Sequence, residues 1–303
     1  MRFQGAIFDI DGVLVDSPHE RAWREALQRL MTVAWTDLAG KTGYAPDRFT
    51  SQLYHSAIAG KPREAGARAA LEYFGIPDPD GRRLQEYCAV KQADLIALIE
   101  RGEFVAFDDA VRFLLRLKAA GMRVAAASSS KNADLFLRKV PLGKYAALSP
   151  TGGEGEQVGG VEHARSPASI PTGGEGERAG AGEHDHPLSP EWERGPGGEG
   201  LRYSFLTADS TLLDMFDANV NGHDVARGKP DPEIFLAAAA ALGLPPADCM
   251  VVEDAPAGVQ AAKAGGMACV AIARIGEPQI LRDAGADWVV SSFNDLAIAT
   301  LLE

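Results

Sequence analysis

Short apolar runs, each long enough for a single buried strand, recur along this chain with helical patterns between them, and that alternation leaves few folds open. Ala6, Ile7 and Phe8 make the first run, which Asp9-Ile10-Asp11-Gly12 ends. Further on, predicted helices at Asp109 to Ala120, Asp231 to Leu242 and Gly258 to Ala264 are interleaved with predicted strands at Arg123 to Ala127, Met250 to Glu253, Ala268 to Ala273 and Trp288 to Val290. The order predicts an α/β fold built on a parallel sheet covered on both faces, with a right-handed crossover at each step. Ligands of such folds bind at the C-terminal strand ends, so the polar residues just beyond each run carry the chemical interest.

From His19 to about Glu100 the pattern is helical instead, with Trp23, Ala26, Leu27, Leu30 and Met31 on one stripe and Ala69, Ala70, Leu71 and Phe74 on another. A helical unit over 17–102 is therefore expected between core segments 1–16 and 103–303, and 303 residues accommodate two compact units. The stretch 149–200 fits neither. It holds 14 glycines and ten acidic against three basic residues, and repeats Thr-Gly-Gly-Glu-Gly-Glu at Thr151 and Thr172. Such composition cannot bury enough apolar area to offset ordering entropy, which predicts a disordered insertion. Its three histidines, His163, His184 and His186, read as solvated loop residues or as metal ligands.

Several classes of function are disfavoured. No stretch approaches the roughly 18 uncharged apolar residues of a membrane helix. The first residues lack a small-residue cleavage site, so a cytoplasmic location is expected. Cys88, Cys249 and Cys269 lie far apart, without metal-ligand spacing. A net charge of −12 disfavours nucleic acid. A small phosphorylated ligand, by contrast, needs only a few local cations.

Asp9 and Asp11 are two apart on a loop leaving a strand, so both can reach one ligand while Ile10 points into the core. Two neighbouring carboxylates need a cation or a shared proton, and a divalent metal such as Mg2+ resolves the conflict. Asp9 could then attack phosphorus while Asp11 holds the proton that the leaving oxygen needs. Ser128-Ser129-Ser130-Lys131-Asn132 follows the strand ending at Ala127 and offers hydroxyls and amides to an anion, or else a helix N-cap. Lys229, stiffened by Pro230 and Pro232, could neutralise a phosphoryl group or simply be solvated. Glu253 and Asp254 end another strand and suit metal ligation by hard oxygens, with helix capping the alternative for Asp254.

Together these segments resemble the haloacid dehalogenase superfamily, in the subgroup with a helical cap after the first motif. Phe8 to Ser17 is similar to its first motif, Ser128 to its second, Lys229 to its third, and Val252 to Gly258 to its fourth. The resemblance implies a Rossmann-like doubly wound parallel sheet core with an inserted α-helical cap domain. It also implies a nucleophile at Asp9, an acid/base at Asp11, phosphate binding by Ser128, Ser129 and Lys229, and Mg2+ held by Asp9, Asp254 and the backbone of Asp11, with Glu253 supporting through water. Within the superfamily the chain is most similar to the beta-phosphoglucomutase family. Gly60-Lys61-Pro62-Arg63-Glu64 resembles the cap segment whose arginine grips the non-reacting phosphate. Ser130, Lys131 and Asn132 resemble the core segment facing it, and Lys91 a cap lysine. His19 resembles a hinge-side histidine, although its spacing from Asp16 is about two residues shorter.

The resemblance therefore implies conversion of beta-glucose 1-phosphate to glucose 6-phosphate through an aspartyl phosphate, with hydrolysis of a sugar phosphate as the alternative. The two reactions differ in whether a sugar hydroxyl or water attacks the phosphoenzyme. Dehalogenation does not need Asp11, Glu253 and Asp254, and a non-catalytic binding protein would not be expected to keep all four motifs. A monomer is expected of a capped enzyme whose cap must swing.

Overall fold

The computed structural model describes residues 3–59, 61–146, 203, 205–222, 226–274 and 276–302. The expected disordered insertion over 149–200, its three histidines and Gly60 lie outside the described residues. In chain order the elements are β1 (Gly5–Phe8), β2 (Val15–Asp16), α1 (His19–Arg29), α2 (Ser51–Leu53), α3 (Arg63–Tyr73), α4 (Arg82–Glu100), β3 (Val105–Ala106), α5 (Asp108–Ala119), β4 (Arg123–Ala126), α6 (Ala133–Arg138) and α7 (Gly143–Ala146). They continue with β5 (Ala218–Asn219), α8 (Glu233–Leu242), β6 (Cys249–Glu253), α9 (Pro256–Ala264), β7 (Ala268–Ile272), α10 (Pro278–Asp283), β8 (Trp288–Val290) and α11 (Ala299–Leu302).

Six strands form one wholly parallel sheet in the order β5-β4-β1-β6-β7-β8. The period-2 alternation of strand side chains sorts the apolar runs onto two faces. Ala6, Phe8, Val124, Ala126, Met250 and Val252 pack on the side of α5 and α6. Ile7, Ala125, Val251, Cys249 and Cys269 pack on the side of α8 and α9. Because both faces are covered, the inner strands β1, β4, β6 and β7 are almost fully buried and read as continuous apolar runs, whereas the edge strands β5 and β8 are only partly covered.

Element limits shift modestly from expectation. α9 starts at Pro256, a proline well suited to a first helical turn, and α8 ends on Gly243, whose φ of +65° supplies the left-handed cap. β5 was not expected from the sequence, since a two-residue edge strand has no periodicity to read.

The segment between β2 and β3 has a core of its own. Trp23, Ala26, Leu27 and Leu30 of the first helical stripe pack with Leu71, Phe74, Leu84, Tyr87 and Cys88. The Tyr87 hydroxyl donates to the Trp23 carbonyl at 2.8 Å, and the two rings meet edge to face. Only β2 and β3, paired antiparallel through Val15 with Ala106 and Asp16 with Val105, form strands where the chain enters and leaves this segment. Among the described residues no helix is long and apolar enough to cross a membrane.

Candidate active site

Strand register builds the site. β1 lies between β4 and β6, with Phe8 opposite Ala126 on one side and Val252 on the other, so the residues that follow each strand emerge at one rim. The Asp9 amide donates to the Val252 carbonyl at 3.0 Å, which sets Asp9 beside Glu253. Lys229, on the loop before α8, donates its ammonium to Asp9 Oδ1 at 2.7 Å and to Glu253 Oε1, and rests on the Phe235 ring at 4.9 Å.

The second oxygen of Glu253 accepts the amides of Asp254 and Ala255 at 2.8 and 3.0 Å, so both its oxygens are engaged within the protein. A Cβ at Gly258 would lie 1.9 Å from Glu253 Oε1, so only glycine lets the carboxylate sit against the first turn of α9. Asp254 faces the Asp9–Gly12 loop. A Cβ at Gly12 would fall 2.0 Å from its Oδ2, and the φ of +82° there already favours glycine. Asp11 Oδ1 accepts the Ser17 amide at 3.2 Å.

Two carboxylates, Asp9 and Glu253, thus hold the Lys229 ammonium, with Asp254 and Asp11 close enough to Asp9 to repel it. Burial pushes the Asp9 carboxyl up to about 7, with Lys229 opposing and Glu253 adding to the rise. Burial also raises Asp11, against the hydrogen bonds from Ser17. It raises Asp254 well above the carboxylate range, with Glu253, Asp9 and Asp11 pushing the same way. Lys229 is held above its ordinary value: burial works against its charge, but Asp9 and Glu253 outweigh it. Among the described residues no three His, Cys, Asp or Glu side chains are grouped closely enough to hold a metal ion. Mg2+ does not require such a group, because it binds one or two carboxylates and completes its shell with water and phosphate oxygens. Asp254, Asp11 and Asp9, whose Oδ1 alone is engaged by Lys229, are hard oxygen donors that fit that chemistry, whereas both oxygens of Glu253 are taken by Lys229 and by backbone amides.

At the end of β4, Ser128 is buried; its amide donates to Asn221 Oδ1 at 2.9 Å and its hydroxyl accepts the Ser130 amide at 3.1 Å. Ser128 does not cap α6, whose N-cap position is Asn132. Ser129 and Lys131 are exposed, whereas Asn132 is buried and exchanges hydrogen bonds with Gln92 of α4 at 2.7 and 3.4 Å. On the cap, the buried Lys91 side chain brings its Nζ within 2.8 Å of His19 Nδ1. Burial, aided by Arg63, lowers Lys91 to about 7, while the charge of Asp11 across the boundary works the other way. Burial, with Lys91 and Arg63, depresses His19 to about 3. Arg63 itself is exposed at the start of α3.

The sequence reading did not single out Ser17, Gln92, Asn221 or Tyr54. Tyr54, whose hydroxyl is pushed up by burial and by Asp11 and Glu20, lies in a short π turn. Gln92 had a signal, since it adjoins Lys91; Asn221 follows the unexpected β5 and had none. A surface depression between Phe3, Lys263, Met267 and Asp287 lies at the opposite rim and includes no residue of this cluster.

The family model of haloacid dehalogenase-like hydrolases matches residues 3–158 and 200–266. Beta-phosphoglucomutase of Mycobacterium tuberculosis (strain CDC 1551 / Oshkosh) is 27% identical over 310 residues, covering 97% of this chain and 92% of that protein. Beta-phosphoglucomutase of Bacillus subtilis (strain 168) is 46% identical over 92 residues, a match that spans 30% of this chain and 38% of the relative. The crystal structure of an archaeal beta-phosphoglucomutase from Pyrococcus sp. strain ST 04 superimposes with a TM-score of 0.57 at 26% identity, covering 98% of this chain and 96% of that one. With four chain segments converging on one rim in the strand order described, and a family match spanning most of its length, the chain belongs to the haloacid dehalogenase-like hydrolases, a family of enzymes.

Proposed function

We propose that this protein transfers a phosphoryl group of a small sugar phosphate through a phosphorylated Asp9, as a mutase converting beta-glucose 1-phosphate to glucose 6-phosphate. The observation that carries the reading is the contact of Lys229 with Asp9 at 2.7 Å in a buried cluster that Asp11 and Asp254 complete. An Asp9 oxygen bonds to phosphorus as the bond from phosphorus to the sugar oxygen breaks, and the departing oxygen takes its proton from the Asp11 carboxyl. In the return step Asp11 removes the proton of the accepting hydroxyl, which attacks phosphorus and releases Asp9. Burial raises the Asp11 carboxyl and so favours its protonated form, which suits it to carry that proton. Lys229 meets the phosphoryl charge, and the Ser128 hydroxyl, which accepts the Ser130 amide, donates its own proton to a phosphoryl oxygen.

Asp9, Asp254 and the Asp11 carbonyl would hold Mg2+, with Glu253 orienting Lys229 behind them. When bound, the ion would offset the excess negative charge and polarise the phosphoryl oxygens. On the cap side, Lys91 and Arg63 supply positive charge for a second phosphate, and Lys131 and Asn132 flank it from the core. That second anchor favours a sugar hydroxyl over water as the acceptor.

Conversion of beta-glucose 1-phosphate should be compared with release of free phosphate, with and without a glucose bisphosphate primer and with and without Mg2+. Primer-dependent formation of glucose 6-phosphate is expected. Free phosphate as the main product would replace the mutase reading by that of a sugar-phosphate phosphatase.

A further inference from the structure

We propose that Arg274 and Asp109 form a positioning unit that fixes the β2–β3 ribbon, and through it the loop that carries Asp11; the proposal rests on the acid/base role given to Asp11 above. Arg274 follows β7 and reaches back across the sheet rim. Its guanidinium lies over the Phe107 ring at 3.7 Å, donates through Nη2 to the Val13 carbonyl at 3.2 Å, and donates to both Asp109 oxygens at 2.9 and 3.4 Å. Asp109 Oδ2 also accepts the Ser292 hydroxyl and the Phe293 amide, each at 3.0 Å. Four separate stretches of chain, around Val13, Phe107–Asp109, Arg274 and Ser292–Phe293, therefore meet at one ion pair.

Stability alone does not account for charge at this place. The two side chains are only 16% and 13% exposed, and Arg274 Nε is buried without a partner. Replacing a buried ion pair with well-packed apolar residues is often neutral or stabilising. What apolar side chains cannot reproduce is direction: a planar fork that stacks on Phe107, just after β3, while bonding the carbonyl of Val13, just before β2.

The position of that fork connects it to the proposed chemistry. Val13 is two residues from Asp11. The Leu14 and Val15 amides both donate to the Ile10 carbonyl, at 2.9 and 3.0 Å, so the turn holding Asp11 is continuous with β2. The Phe107 amide in turn donates to the Leu14 carbonyl at 3.0 Å and completes the ribbon. A guanidinium that holds Val13 and Phe107 at once sets the angle at which the cap leaves the core and the place of the Asp11 carboxyl. A displacement of about 1 Å in such a group can cost on the order of 100-fold in rate.

The test compares Arg274→Lys and Asp109→Asn with the unaltered full chain, by steady-state kinetics on beta-glucose 1-phosphate and by amide hydrogen exchange. Lysine keeps the charge but neither stacks as a plane nor forks, and the Asn variant guards against a single misfolded protein. Each variant is expected to lower kcat on the order of tenfold or more with KM changed by less than about threefold. Exchange should quicken at Val15 and Phe107 while the Val251 and Val270 amides of β6 and β7 stay protected. A purely structural role would quicken exchange everywhere, and that result overturns the proposal, as does unaltered exchange at Val15 and Phe107 or an unaltered kcat. If the unaltered protein turns over no phosphate ester, the function proposed above fails instead, and the exchange pattern still decides whether the ribbon depends on Arg274.

Discussion

Lys229→Met removes the ammonium from between Asp9 and Glu253 with little change of side-chain volume, and the consequence can be worked from the geometry. At 2.7 Å and an effective dielectric of about 20, the gross attraction between Lys229 and Asp9 is about 6 kcal/mol, most of it offset by the desolvation of both groups. Removing one partner of a buried pair still costs about 3–5 kcal/mol, because the remaining charge stays buried without its counter-ion. Glu253, 1% exposed on its side chain and bonded to the same ammonium, shares that loss.

The pH dependence has a definite sign. The native Asp9 carboxyl stands at about 7, above its ordinary 3.8, so its favourable contribution to stability is complete below about pH 4 and lost as pH rises through 7. Lys229 lowers Asp9, so its removal moves the native carboxyl higher still and extends that loss into the alkaline range. Urea unfolding of metal-free protein between pH 5 and 9 should therefore show a deficit for the variant that widens with pH, reaching about 3–5 kcal/mol at the upper end. Added Mg2+ should narrow it. A deficit below about 1 kcal/mol, or one that stays flat across the range, would refute the reasoning, since it would mean that the acids are solvated rather than buried around the lysine.

Three further outcomes are expected. Asp11→Asn should slow transfer from beta-glucose 1-phosphate by about 10²–10⁴-fold, yet affect p-nitrophenyl phosphate far less, because nitrophenolate departs without a proton; equal losses on both substrates would remove Asp11 from proton transfer. Gly258→Ala should destabilise the protein by about 1–3 kcal/mol in urea unfolding and impair turnover, since the new Cβ meets Glu253 Oε1 at 1.9 Å and Glu253 cannot yield without releasing Lys229; wild-type stability would show that the carboxylate has another resting place. Deleting 151–200 should leave kcat and KM unchanged, because loop length costs only about 0.6 kcal/mol per doubling; a folded but inactive deletion variant would tie that stretch to the site.

What the sequence disclosed and what it withheld follow from the range of the forces involved. β1, β4, β6, β7 and β8 were legible because strands buried on both faces must be apolar along their whole length, and the acids Asp9 and Glu253 stood out by ending such runs. β5 has only Ala218 and Asn219, too few residues for a pattern, so Asn221, which holds the Ser128 amide, was invisible with it. The Asp9–Lys229 contact spans 220 residues, and only the joint presence of motifs indicated it. The orientation of Glu253 was beyond reach, because whether a carboxylate faces solvent, a metal or Lys229 depends on the space left by Gly258. On the cap, helical stripes were readable, but the breaks between α1 and α3 were not, and with them went the placement of Tyr54 against Asp11.

The crevice divides by sign, and that division bears on the choice of acceptor. Its floor is acidic, with Asp9, Asp11, Glu253 and Asp254 set against Lys229, and its ceiling is basic, with Lys91 and Arg63. His19 lies against Lys91, and burial together with the charges of Lys91 and Arg63 favours its neutral form, so it adds no repulsion. Under the proposed function, a phosphoryl group approaches the floor only when Lys229 and a cation neutralise the acids, whereas a second phosphate is drawn to the ceiling unaided. A ligand with two phosphates can satisfy both ends in either orientation, so it can turn end for end while the side chains keep their places. A ligand with one phosphate would, under the same proposal, leave the exposed Arg63 without a phosphate partner, and water could then compete for the phosphorylated Asp9. On the proposed function, the cationic ceiling, rather than the acids assigned to the transfer, is thus the part expected to decide between a sugar hydroxyl and water.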